Sequence, residues 1–251
     1  MRNGLGNNFD QPFSVPLGAW NPSLLSSLSF WVRPDAGVFE DAGSDPAEQT
    51  DPVYQQNDYS SGGRNAVQTT IGKRPTLDTV SSQPMLTYVA ASSQELALSS
   101  DLTVGANSAG WCIYCVCSRS SNAQTIAPLG LSSADRVVML FGTTAYLIVG
   151  AFVTASGVNG SGLMLLKWSR AAAAGGGLVT FQATGYAATS MGWSGTDVGP
   201  FTVNRIGARP AASQYTNGSL SHIIVTNTDI SGTADETKLL AYLAAQTGAA
   251  L

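Results

Sequence analysis

One histidine, three cysteines and four glutamates are the side chains of this 251-residue chain best suited to proton, thiolate or metal chemistry, and their spacing limits what each can do. Cys112, Cys115 and Cys117 fall in the run Trp111-Cys-Ile-Tyr-Cys-Val-Cys-Ser118. On one extended strand Cys115 and Cys117 share a face and stand about 7 Å apart, too far for an easy bridge. Structural zinc sites use knuckles on turns and a fourth ligand, so the three thiols read as small apolar side chains. Glycoside hydrolysis by an acid pair needs carboxyl groups about 5–5.5 Å apart or further, held rigidly. Glu40, Glu48, Glu95 and Glu236 form no such cluster, and Glu40, Asp41, Asp45 and Glu48 lie in a polar segment where carboxylates are hydrated. His222 has no Ser-His-Asp arrangement around it in sequence, and a structural role is expected. Calcium takes about six to eight oxygens; Asp35, Asp41, Asp45 and Asp58 are the available donors, scattered over loops. No catalytic residue, cofactor or metal is therefore expected, and the chain reads as a protein that is not an enzyme.

In the chain that must hold these residues, 44% of positions are hydrophobic and only 11% charged, with 27 glycines. This is the reverse of a disordered composition, and the length suffices for one large β domain. The net charge is −4 and no basic run exceeds Lys73-Arg74, so nucleic-acid binding by counterion release is not expected. Residues 1–10 lack the apolar core of a signal peptide. The longest apolar stretch, Val137 to Val153, is broken by Gly142 and Gly150, short of the roughly 20 residues a membrane helix needs. The expectation is a soluble protein made in a reducing cytoplasm.

Residues 1–22 read as an extended N-terminal arm, with Pro12, Pro16 and Pro22 excluding a helix and Phe9, Phe13, Leu17 and Trp20 needing cover. That cover comes either from the arm's own domain or from a neighbouring subunit. Residues 23–251 read as one domain. It holds short strand-like runs at Ser29–Arg33, Met85–Val89, Glu95–Leu98, Trp111–Ser118, Arg136–Phe141, Ala145–Val153, Gly162–Trp168, Leu178–Ala183, Phe201–Ile206 and Leu220–Thr226. So many short strands predict an all-β sandwich or barrel. Asn159-Gly160 and Asn217-Gly218 read as hairpin turns, and Asp35 to Gln68 as a surface excursion. Thr233-Ala-Asp-Glu236 is a capping box, opening a helix with Leu239, Leu240 and Leu243 on its apolar face and Gly248 as its stop.

The order of four motifs resembles the concanavalin A-like lectin/glucanase superfamily in its laminin-G-like jelly-roll form. They are Leu28-Ser-Phe-Trp-Val-Arg-Pro-Asp35; Asp58-Tyr-Ser-Ser-Gly-Gly-Arg-Asn-Ala-Val-Gln68 followed by Arg74-Pro-Thr-Leu77; Asn204-Arg-Ile-Gly207; and Asn217 to Val225 with Tyr242-Leu243. The resemblance implies two antiparallel sheets packed face to face, with one C-terminal helix. Two features of the superfamily are missing: the Glu-x-Asp-x-x-Glu pattern of its glucanases, and the Phe-Asp-Gly turn, replaced here by Tyr88-Val-Ala-Ala-Ser-Ser93.

Two functions from different classes are compatible with these features. The first is a virion structural protein, a bacteriophage capsid decoration or tail-associated protein assembled in the host cytoplasm. It would dock on capsid or tail proteins and on further copies of itself through Phe9, Phe13, Leu17 and Trp20. The alternative is a carbohydrate-binding, lectin-like adhesion module, with Trp193, Tyr215 and Asn217 at predicted loop ends as contacts for surface glycans. A secreted matrix domain would call for a leader or disulfides.

Overall fold

The computed structural model describes residues 20–105, 110–132, 136–149, 152–172, 178–191, 200–209 and 213–251. Its strands begin with β1 (Leu28–Val32), β2 (Val38–Phe39), β3 (Gln55–Gln56), β4 (Ala66–Val67), β5 (Thr76–Val80), β6 (Gln83–Tyr88), β7 (Leu96–Val104), β8 (Trp111–Arg119), β9 (Thr125–Gly130) and β10 (Arg136–Phe141). They continue with β11 (Thr144–Val149), β12 (Phe152–Ser156), β13 (Gly162–Arg170), β14 (Val179–Ala183), β15 (Tyr186–Met191), β16 (Phe201–Ile206), β17 (Ala208–Arg209), β18 (Gln214–Tyr215) and β19 (Gly218–Thr226). The helix α1 (Ala234–Thr247) follows.

Two large antiparallel sheets make the sandwich, as the strand pattern and the resemblance lead one to expect. One runs β15-β14-β13-β8-β19-β6-β5, with β1 also on β19; the other runs β12-β11-β10-β9-β16-β7-β4-β3-β2. Between them lie Phe30, Trp111, Ile113, Cys115, Cys117, Trp168, Phe181, Phe201 and Val225 with their neighbours. β8 is buried at all nine positions, because it is covered on both faces. Trp111, Ile113, Cys115 and Cys117 enter the sandwich, while Cys112, Tyr114 and Val116 face α1 with Leu239, Tyr242 and Leu243. All three thiols are free and buried.

Helix α1 is held at both ends. Thr233 Oγ1 accepts from the Glu236 N–H at 3.2 Å, and Gly248 ends the helix in the left-handed region at φ 75°. The Glu236 carboxylate departs from the reciprocal capping box: one oxygen takes the Gly232 N–H at 2.6 Å, and the other takes the Tyr114 hydroxyl at 2.8 Å and the Lys167 ammonium.

Three expectations need correction. Asn159-Gly160 joins β12 to β13, which lie in different sheets, and Asn217-Gly218 joins β18 to β19, also in different sheets; neither closes a hairpin. The run Ala145–Val153 is two paired strands, β11 and β12. The segment from Asp35 to Gln68 contributes β2, β3 and β4 to an edge of the second sheet.

Candidate functional site

Strand β19 changes partner along its length. Gly218, Ser219 and Leu220 pair with β6, whereas Ile223 to Thr226 pair with β1. Against β8, on its other edge, the register shifts between Leu220 and Ile223. Ser221 and His222 therefore form a bulge at the seam, and such an extra residue re-aims the side chains around it. Leu220 and Ile223, three apart, both reach the inter-sheet core, while His222 lines a small pocket.

Four elements build that pocket: Asp35 from the chain leaving β1, Gln83 and Pro84 from β6, Ser221 and His222 from the bulge, and Gln246 and Thr247 from the last turn of α1. Its free volume is about 10 Å³, room for one water. His222 is 3% exposed. Its Nδ1 lies 3.1 Å from Ser221 Oγ, and its Nε2 has no hydrogen-bond partner among the described residues. Burial pulls its pKa down to about 4, with Arg33 adding to the effect and Asp35 opposing it. At neutral pH the ring is uncharged and has one nitrogen free to give or take a hydrogen bond.

Asp35 accepts from Arg33 Nε at 2.7 Å and from Arg33 Nη2. Burial works to raise its pKa, but the Arg33 hydrogen bond and the charges of His222 and Arg33 outweigh it and hold the carboxyl below its ordinary value. Behind the pocket, Tyr242 meets His222, Trp31 and Trp20 edge-on, with ring centroids 5.9, 6.1 and 6.3 Å apart. The Tyr242 hydroxyl and Trp31 Nε1 are also buried without a partner among the described residues. Tyr59, 39% exposed, packs on Trp31 at 5.5 Å.

The motifs behind the resemblance act as clasps around this seam. The Asp58 carboxylate accepts from the N–H groups of Trp31 at 3.0 Å, Ser60 at 2.8 Å and Arg64 at 2.9 Å, tying its loop to β1. Gly207 has φ 83°, and a Cβ there would stand 2.3 Å from the Tyr88 ring, so glycine is required. Asp41 is spent on its own turn, accepting from the N–H groups of Ser44 and Asp45 at 2.9 Å each. Among the described residues no three His, Cys, Asp or Glu side chains gather as metal ligands.

Of the sequence-derived candidates, Phe9, Phe13, Leu17 and Trp193 lie outside the described residues. Trp20 packs on Tyr242 of its own chain. Tyr215 and Asn217 flank Thr216, which is fully buried with its Oγ1 accepting from the Ala127 N–H at 2.9 Å, and Asn217 is exposed. Asn217 is five residues from His222 along the strand, on the order of 16 Å, so the structure does not join this pair to the pocket. Sequence reasoning left Ser221, Gln83 and Gln246 unmarked and expected only a structural role for His222. The available signal was the polar pair Ser221-His222 inside the apolar run Leu220 to Val225.

No protein-family model matches the chain, and no curated protein does. Solved structures do match. A Trypanosoma rangeli sialidase superposes with a TM-score of 0.50 at 9% identity, over 94% of this chain and 36% of the sialidase. The same sialidase in complex with 2,3-difluorosialic acid, as a covalent intermediate, gives 0.52 at 10% identity, over 90% and 34%. This chain thus spans about a third of the length of the sialidase chains it matches. The expectation of a protein that is not an enzyme is corrected by this finding, because its sandwich is shared with part of an enzyme chain. The acid-pair criterion was too narrow: glycosidases with a Tyr nucleophile or substrate assistance work without that pair. At such low identity the likeness is one of fold, and the fold is a β-sandwich found within a glycosidase chain.

Proposed function

We propose that the chain is a carbohydrate-binding, lectin-like β-sandwich module whose binding site is the pocket at the β19 bulge. The observation that carries this reading is His222: a neutral, buried ring with Nε2 unpaired among the described residues, opening on a pocket rimmed by the amides of Gln83 and Gln246. Sugars are held by such side chains, which both give and take hydrogen bonds, beside an aromatic surface; Tyr59, packed on Trp31, is an exposed ring of this aromatic cluster. The sandwich shared with part of a sialidase chain supports it as well. A glycan array probed with the full chain at pH 7.5 tests the reading. Retention of at least one glycan class, weakened by free sugar of that class, is expected, and an array without any retained glycan would refute it.

A second reading is docking on a virus particle in the host, with capsid or tail proteins and further copies of the chain as partners. It is favoured by Leu24, 63% exposed, close in sequence to Trp20 at the end of the aromatic arm. Mass spectrometry of purified particles would detect the chain if this reading holds, and its absence there would end it.

A further inference from the structure

We infer that the pocket at the β19 bulge seats a single hydroxyl of an uncharged sugar and discriminates against acidic ones. This rests on the carbohydrate-binding reading and specifies its ligand class. Three observations lead to it. The first is size: about 10 Å³ of free volume admits one oxygen-sized group and no ring. The second is hydrogen-bond character. His222 Nδ1 faces the Ser221 hydroxyl at 3.1 Å, an arrangement that lets either group donate, so Nε2 can be an acceptor or a donor. The side-chain amides of Gln83 and Gln246, which also line the pocket, make no hydrogen bond with any described residue, and each offers both a donor and an acceptor. A hydroxyl matches both roles, whereas a carboxylate only accepts and an ammonium only donates.

The third observation is charge. Among the described residues Asp35 is the one charged side chain lining the pocket, and the Arg33 guanidinium is turned to Asp35 through two nitrogens. His222 contributes no positive charge at neutral pH, since burial holds its pKa near 4. An acidic sugar brought here would set its carboxylate beside an Asp35–Arg33 pair that is neutral as a unit, losing hydration without gaining a counter-charge from any described residue that lines the pocket. A neutral sugar meets no such penalty. With its hydroxyl removed, the orphaned His222 nitrogen stays unpaired, so the deoxy analogue should be rejected.

The experiment is calorimetric titration of the full chain at pH 7.5 with neutral monosaccharides, their single-deoxy analogues and the matching uronic and sialic acids, chosen from the array's retained class. Neutral sugars are expected to bind at least about tenfold more tightly than acidic ones, and one deoxy position is expected to lose about ten- to a hundredfold, the size of one or two tenfold steps in affinity. His222→Phe should abolish that deoxy discrimination; Gln246→Ala, on the helix surface, serves where His222→Phe lowers the thermal midpoint too far. If sugars bind but acidic forms bind equally well, or if both variants bind like the parent, the inference falls while the carbohydrate-binding reading stands. Absence of binding by every sugar, with the pocket holding a water only, removes both.

Discussion

An imidazole in water is half protonated near its ordinary pKa, whereas His222 resists protonation until about pH 4 because burial removes the water that would solvate its cation. Linkage then fixes the direction. Between about pH 6.5 and 4 the unfolded chain takes up a proton that the folded chain refuses, so stability is fully present above that window and declines as pH falls through it. At roughly 1.4 kcal/mol per pKa unit, the loss reaches about 3 kcal/mol by pH 4. Asp35 titrates lower, its carboxyl being held below its ordinary value, and Tyr242 lies at about 12, so neither contributes much inside the window. Urea unfolding of the parent and of His222→Asn at pH 7.5, 6, 5 and 4.5 checks this. The gap between the two proteins should shift toward the variant as the pH drops; a constant gap would mean that His222 takes up its proton equally in the folded and unfolded chains.

At the scale of elements, α1 is fixed to the first sheet by a polar anchor within an apolar contact. Lys167 of β13 and Glu236 of α1 are both under a tenth exposed, and Glu236 is further served by the Tyr114 hydroxyl and the Gly232 N–H. The two ends of the pair are unequal. Glu236→Gln leaves a buried ammonium without its counter-charge and should cost about 3–5 kcal/mol. Lys167→Met leaves a carboxylate that keeps two donors and should cost less. The double variant, uncharged but still able to bond Tyr114 and Gly232, should cost less than the sum, giving a coupling energy of about 1–3 kcal/mol in a double-mutant cycle by urea unfolding. Which elements could be read in advance follows the same physics. Capping residues and the leucines announced α1, and long apolar runs announced β8, β13 and β19. Strand β9 escaped notice because Pro128 argues against a strand. The fold accommodates it at a bulge, where the β9–β10 register shifts between Val138 and Leu140 and the Ala127 N–H turns to Thr216 Oγ1. The pocket was hidden for a related reason: simple alternation cannot reveal that Ser221 and His222 sit in a bulge, nor that β1, β6 and the end of α1 meet there.

For the whole molecule, the scarcity of charge sets colloidal behaviour. With 12 basic and 16 acidic side chains among 251 residues and an isoelectric point near 4.8, repulsion between copies vanishes well inside the pH window in which His222 is eroding stability. Low net charge favours association, and a destabilised native state adds open chains with apolar surface. Light scattering should therefore show a solubility minimum close to pH 4.8, with recovery on return to pH 7.5. Two exposed apolar side chains, Ile71 at 69% and Leu178 at 57% exposure, offer a way to separate the two causes. Ile71→Glu with Leu178→Glu adds negative charge and removes surface apolar groups, so it should move the minimum to lower pH without changing the thermal midpoint at pH 7.5. His222→Asn should leave the position of the minimum unchanged and instead slow the approach to it. If the glutamate variant leaves the minimum in place while His222→Asn removes it, aggregation is driven by unfolding at the bulge and not by the surface charge.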